Sequence, residues 1–145
     1  MDDDLYRQYI LDHYRDPRNH GHLEAPDCHA AETNPLCGDR VELDLKLDGD
    51  RVAEVRFDGR GCAISQASAS MLTERIEGAT LEELRALRPA DILEMLGVTI
   101  GPARQRCAFL GLRVLHECVG GPYTGRYDED MADDPAMEEP TADVK

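Results

Sequence analysis

The stretch that decides the fold runs from Val41 to Phe57 and reads VELDLKLDGDRVAEVRF. Apolar residues alternate with charged ones through its first half, which predicts a half-buried strand with one face in water. Asp48-Gly49 is a turn signal, and a returning strand follows it from Val52. Because so short a connection joins only antiparallel neighbours, the stretch predicts a β-hairpin.

On the C-terminal side of the hairpin, Gly59-Arg60-Gly61 is expected to break the sheet, and Cys62-Ala63-Ile64 is a candidate short third strand. From Ser65 the apolar spacing becomes helical, up to a cap at Gly78. Three further helices are predicted at Thr80–Leu87, at Pro89–Leu96, and from Gly101-Pro102 to just before Gly120.

On the N-terminal side, apolar residues at helical spacing predict a helix from Leu5 to Tyr14, which ends before Pro17. The segment from Arg18 to Thr33 has no periodicity and is interpreted as a loop. The order of helix, strands and helices predicts an α+β fold, in which a small three-stranded antiparallel sheet packs against several helices.

Composition restricts the class of protein. The net charge of −14 argues against nucleic-acid binding, and no apolar run is long enough for a membrane span. The start, Met1 to Asp4, is acidic, unlike a secretory leader, so we expect a cytoplasmic protein. From Asp128 onward, eight acidic residues stand against one lysine. We therefore expect one domain at 1–121 and a disordered acidic tail at 122–145.

Candidate metal-binding or reactive side chains lie at the ends of the predicted helices and strands. Cys37 and Asp39 flank Gly38 just before the hairpin, and in an extended chain such residues point to the same side. Cys62 precedes a helix, and Cys107 follows Arg106, two settings that favour a thiolate. Spacing alone leaves two interpretations open: one shared metal site, or unrelated turn and core positions.

The remaining cysteines and histidines are expected to have no role in such a site. Cys28 and Cys118 are interpreted as incidental, since cysteines in a reducing compartment seldom form disulfides. His13 is expected to pack against its neighbours, and His116 to lie on the wet side of its helix. A solvated state is expected for the histidines of the loop, His20, His22 and His29.

Several motifs resemble those of the iron–sulfur cluster assembly scaffold family, which comprises IscU, SufU and the N-terminal domain of NifU. They cover about residues 5–119 and lie at Leu5–Asn19, Asn34–Asp39, Gly59–Ser70 and Pro102–Ala108. The resemblance implies that Cys37, Asp39, Cys62 and Cys107 bind a transient 2Fe–2S cluster or a zinc ion.

The resemblance also implies partners and a role. Sulfur would come from a cysteine desulfurase, and the finished cluster would pass to apo-proteins, so the chain would act as a scaffold or carrier rather than as a true enzyme. The alternative is a SufU-type, zinc-dependent sulfurtransferase that accepts persulfide sulfur on Cys37. A structural zinc module that serves only for docking is the third interpretation.

The sequence departs from each branch of the family. Arg106 stands where IscU-type members have a histidine before the third cysteine, and arginine has no lone pair to donate to a metal. The path from Cys62 to Cys107 lacks the extra segment of SufU-type members. Ile100–Arg104 replaces the motif by which a chaperone recognises IscU, so dependence on that chaperone is not expected.

Overall fold

A computed structural model describes residues 3–34 and 38–123 of the chain. Helix α1 precedes three strands, which a series of helices follows. The elements are α1 (Asp3–Arg15), β1 (Cys28–Thr33), β2 (Arg40–Asp48), β3 (Arg51–Arg60), α2 (Ala63–Ile76), α3 (Leu81–Arg85), α4 (Pro89–Leu96), α5 (Pro102–Ala108) and α6 (Leu110–Val119). None of the helices in these ranges is long and apolar enough to cross a membrane. The predicted tail lies outside the described residues, except for its first two.

The predicted hairpin and the α+β class are confirmed. Within the described ranges the sheet has three antiparallel strands in the order β1-β2-β3. Leu43 pairs with Phe57 and Leu45 with Val55, and all four side chains are buried. The alternation therefore turns the apolar side chains of both hairpin strands toward the helices.

The third strand is not where the sequence placed it. Strand β1, from Cys28 to Thr33, comes from the predicted loop and pairs along β2 in a six-residue register. Cys62 is instead the N-cap of α2, and Ala63 is the first residue of that helix. Strand β1 was missed because its half-buried pattern lacks alternation, so pairing with the free edge of β2 determines its structure.

The core lies between one face of the sheet and the helices. Helix α2 contacts α1, α5, α6 and β3, and ten of its residues are buried, from Ser65 to Ile76. The small side chains of Ala67 to Ser70 allow the neighbouring helices to approach closely. His13 of α1 is fully buried and hydrogen-bonds with Ser70 Oγ at 2.7 Å, which confirms its predicted packing role.

The caps of the later helices confirm most of the predicted boundaries. Thr80 and Glu83 form the capping box of α3, and Gly97 ends α4 in the left-handed conformation. The cap of α2 is Glu77, one residue before the predicted Gly78. The predicted last helix is divided at Phe109, which is fully buried and separates α5 from α6.

The prediction for His116 was wrong. Its side chain is fully buried, and its Nε2 donates to the carbonyl oxygen of Leu84 at 3.0 Å. The backbone N–H of Tyr123 donates to its Nδ1, so the ring is a neutral tautomer that joins α6 to α3. Burial lowers the pKa of His116, which keeps this connection neutral at physiological pH.

Two further links join β1 to α6. Cys28 and Cys118 form a disulfide, so the expectation that these cysteines are incidental was wrong. Their Cα atoms lie 5.7 Å apart because β1 and α6 pack together, a proximity that a separation of 90 residues conceals in the sequence. Nearby, Arg113 Nη2 of α6 lies 3.7 Å from Glu32 Oε1 of β1.

The Glu32–Glu117 pair next to this disulfide gives the fold a pH dependence. Partial burial, together with a hydrogen bond to Glu32 and the charge of that residue, raises the pKa of Glu117 to about 7. A raised carboxyl pKa means that stability falls as the pH rises from the unfolded value toward 7. We expect Glu117→Gln to stabilise the protein at pH 8, by less than about 1 kcal/mol because solvent screens the charge of this only partly covered residue, and to have almost no effect at pH 5.

Urea denaturation at pH 5 and pH 8 measures this difference. Glu24→Gln, which removes the charge of an exposed glutamate in the loop before β1, is the matched control and should give no pH-dependent gain. Equal stabilisation by Glu117→Gln at both pH values would contradict the explanation that repulsion between ionised Glu117 and Glu32 destabilises the fold at high pH.

Candidate metal centre

Three of the predicted site residues converge at one end of the sheet. Asp39 immediately precedes β2, Cys62 is the N-cap of α2, and Cys107 lies in the last turn of α5. One ligand atom from each lies within 4.8 Å of the other two. In the part of the chain that the structure describes, this is the one group of three such side chains at that spacing. Cys37 lies outside the described residues.

Asp39 is a buried carboxylate that lacks a complete set of partners. Its side chain is 5% exposed, and among the described residues nothing hydrogen-bonds to its Oδ2 atom. A buried charged oxygen without a partner is costly, and a cation removes that cost. The backbone N–H of Asn34 donates to the Asp39 carbonyl oxygen at 2.7 Å, which fixes the backbone next to this carboxylate.

Gly61 makes room for this carboxylate, a role beyond the break in the sheet that the sequence predicts for Gly59-Arg60-Gly61. Its φ is +148°, and a Cβ at this position would lie 2.5 Å from both Cγ and Oδ1 of Asp39. A side chain here would therefore displace the carboxylate. The glycine immediately before Cys62 was the available signal for such a close approach.

The helices position the two thiols differently. Cys62 is half-buried at the positive end of α2, and its side chain makes no capping hydrogen bond. Cys107 is only 7% exposed, and Ser68 Oγ of α2 donates to the carbonyl oxygen of the next residue, Ala108, at 2.8 Å. This bond ties the end of α5 to α2 and so holds the two cysteine-bearing elements together.

The donor set matches a transition-metal site. Zinc binds thiolate sulfur at about 2.3 Å and carboxylate oxygen at about 2.0–2.2 Å, so the ligands of a single ion lie less than about 4 Å apart. The three ligand atoms lie within 4.8 Å of one another, so only small side-chain movements are needed to reach that spacing. The residues therefore fit a metal ion, with one coordination position left for a fourth ligand.

A cavity of about 450 Å³ opens beside the N-terminus of α2. Its lining is largely apolar, with Arg7 of α1 and Arg104 of α5 as its charged residues. Ile100 and Gly101 line it as well, so the segment that replaces the chaperone motif borders this cavity.

Comparison with known proteins identifies the family. The family model of the NifU-like N-terminal domain matches residues 5–129. The chain is 41% identical to the zinc-dependent sulfurtransferase SufU of Bacillus subtilis over 135 residues, covering 81% of this chain and 90% of that protein. It is 33% identical to the iron–sulfur cluster assembly scaffold protein IscU of Streptococcus pyogenes over 134 residues, covering 79% and 82%.

A solved structure shows the same fold. It is a putative iron–sulfur cluster assembly scaffold protein for the SUF system from Fervidobacterium islandicum, which superposes with a TM-score of 0.70 at 27% identity and covers 81% of this chain and 99% of that one. The resemblance found in the cysteine motifs is thereby confirmed. This chain belongs to the NifU-like N-terminal domain family of IscU and SufU iron–sulfur cluster assembly proteins.

Proposed function

We propose that this chain is a cytoplasmic scaffold on which a 2Fe–2S cluster is assembled from iron and desulfurase-derived sulfur and then passed to apo-proteins. The observation that carries the proposal is the buried Asp39 carboxylate, which has one oxygen without a partner among the described residues and lies within 4.8 Å of two thiols. A cation bound there would offset the cost of the buried carboxylate, and thiolates are the ligands that iron–sulfur clusters take. Residues 1–121 form the working domain in this proposal, and 122–145 a solubilising tail.

Each side chain has a distinct role in the proposed site. Cys37 accepts the outer sulfur of the desulfurase persulfide, and the desulfurase cysteine leaves as a thiolate. Cys62 and Cys107 hold the iron, since both are fixed by helices. Asp39 is the harder and more exchangeable ligand, which suits a site that must release its cargo.

A second candidate function is that of a zinc-dependent sulfur acceptor. It is supported by the tight spacing of the three donors, which suits a single ion, and by the similarity to the Bacillus subtilis sulfurtransferase. Zinc would be held by Asp39, Cys62 and Cys107, with Cys37 as the fourth ligand, and it would keep that thiol deprotonated. Arg106 also favours this candidate, because no histidine stands there to bind iron.

A Cys37→Ser variant separates these functions from simple docking. Desulfurase turnover is measured with the zinc-loaded protein in the absence of iron, and cluster formation is measured with iron and without zinc. A scaffold loses cluster formation in the variant, whereas a zinc-dependent acceptor loses stimulation of the desulfurase. If both activities survive the substitution, the chain is only a docking module and the proposal fails.

Replacing Asp39 should slow the release of the cluster. We expect Asp39→Ala to retain the cluster several-fold longer, because the remaining thiolate ligands exchange less readily than a carboxylate. Timing transfer to an apo-acceptor by visible spectroscopy measures this effect. Asp48→Ala, at the exposed hairpin turn, is the control. Equal transfer rates for the wild type and Asp39→Ala would remove Asp39 from the release step.

A further inference from the structure

Two histidines on the segment before β1 approach one carboxylate of β3. His20 and His22 stand on either side of Gly21, and each directs its Nε2 atom at the carboxylate of Asp58 on β3. The distances are 3.3 Å from His20 Nε2 to Oδ1 and 3.1 Å from His22 Nε2 to Oδ2. The expectation that these histidines are merely solvated was therefore wrong.

The backbone holds both histidines in place. The N–H of Gly21 donates to the carbonyl oxygen of Phe57 at 2.8 Å, and the N–H of Phe57 donates to the carbonyl oxygen of Asn19 at 2.9 Å. Residues 19–21 are thus paired with β3 immediately before Asp58. Gly21, between the two histidines, has a φ of +133°, a conformation that glycine adopts readily, and both rings reach one carboxylate from this paired segment.

His22 also has the outer contact that metal-bound histidines usually have. Its Nδ1 atom faces Asp44 Oδ2 at 3.5 Å, which leaves Nε2 for a ligand. Asp44 is itself fixed, since it is 4% exposed and accepts from the backbone N–H of Leu23 at 2.9 Å. His29 Nδ1 contacts the other oxygen of Asp44 at 2.6 Å. A buried carboxylate therefore orients the His22 ring from behind.

We propose that His20, His22 and Asp58 form a binding site for a divalent transition-metal ion such as Zn²⁺, separate from the candidate metal centre. Two imidazole nitrogens and a carboxylate oxygen are ligands that zinc accepts at about 2.0–2.2 Å, which places neighbouring donors about 3.3 Å apart. Each histidine–Asp58 distance matches that value, whereas the two imidazole nitrogens lie beside different oxygens of the carboxylate. The three side chains are 50%, 51% and 40% exposed, so water completes the coordination.

In this proposal the side chains rearrange when the ion binds. The two imidazoles contact different oxygens of Asp58. The three donor atoms are therefore not all within 4.8 Å of one another, unlike those of Asp39, Cys62 and Cys107. Binding of one ion by both rings therefore requires rotation of the two half-exposed side chains, which brings their nitrogens together. An imidazole binds a metal only in its neutral form, so protons compete with the metal and binding weakens in acid.

Zinc titration tests the site in the full-length Cys37→Ser/Cys62→Ser/Cys107→Ser variant, in which the thiols of the candidate metal centre are removed. Competition with a chromogenic chelator at pH 7.5 should reveal one equivalent of bound Zn²⁺. Adding His22→Gln or Asp58→Asn should weaken its binding at least about tenfold. Glu54→Gln, which removes another exposed carboxylate of β3, is the matched control and should leave the affinity unchanged within a factor of about two.

Three results would overturn the proposal. The first is that the triple cysteine variant binds no equivalent of Zn²⁺. The second is that His22→Gln and Asp58→Asn both bind Zn²⁺ with unchanged affinity, and the third is that Glu54→Gln weakens Zn²⁺ binding as much as they do. Thermal unfolding without metal shows that each variant is folded, so a lost equivalent reports on the ligands. The test is independent of the proposed scaffold function, because the thiols of that function have already been replaced.

Discussion

Replacing Cys28 with serine is expected to lower the free energy of unfolding by up to about 4.6 kcal/mol, the value that chain entropy gives for a loop of this length. The disulfide with Cys118 closes a loop across a sequence separation of 90, so its removal releases much of the unfolded chain. Urea denaturation without reductant measures the loss.

Two controls distinguish the bond from packing of the cysteine side chains. Cys118→Ser should cost the same as Cys28→Ser, and the double variant should cost no more, because all three lack the same bond. Adding a reductant should bring the wild type to the stability of the variants. An unfolding midpoint that the reductant leaves unchanged would show that the disulfide does not stabilise the fold.

A methyl group at Gly61 is expected to damage the metal centre without removing a ligand. In Gly61→Ala the new Cβ would lie 2.5 Å from the Asp39 carboxylate and 2.8 Å from Ser65 Oγ, so Asp39 must move away from the two thiols. We expect zinc affinity to fall at least about tenfold, as happens when other contacts that position metal ligands are lost.

Gly78→Ala is the matched control for this substitution. Gly78 also has a positive φ, +85°, but among the described residues no atom lies within 4 Å of the place that a Cβ would take there, so the variant carries backbone strain alone. Competition with a chelator measures the affinity of both variants. If Gly61→Ala binds zinc as tightly as Gly78→Ala, then Asp39 does not contribute to binding.

The parts of the fold that were predicted are those encoded by local pattern. Alternation fixed the hairpin from Val41 to Phe57, and the Thr80–Glu83 capping box and Gly97 marked their helix ends. Strand β1 and the buried position of His116 were missed for the opposite reason. Both depend on partners far along the chain, β2 for the strand and Leu84 for the histidine.

Part of the site could be predicted because cysteines at the ends of helices and strands are candidate metal ligands, even when the distances between them are unknown. Asp39, Cys62 and Cys107 meet as the motifs implied. The contacts of His20 and His22 with Asp58 were not predictable, since pairing of residues 19–21 with Phe57 creates them. The disulfide escaped prediction because the spacing of Cys28 and Cys118 carries no information about the packing of β1 on α6.

Anaerobic reconstitution with a cysteine desulfurase, cysteine and iron tests the central claim most directly. The zinc-free wild type should develop the visible absorbance of a 2Fe–2S cluster, added zinc should suppress it, and Cys62→Ser should abolish it. Development of the same absorbance in Cys62→Ser, or its absence in the zinc-free wild type, would contradict the assignment of Cys37, Asp39, Cys62 and Cys107 as a cluster-assembly site.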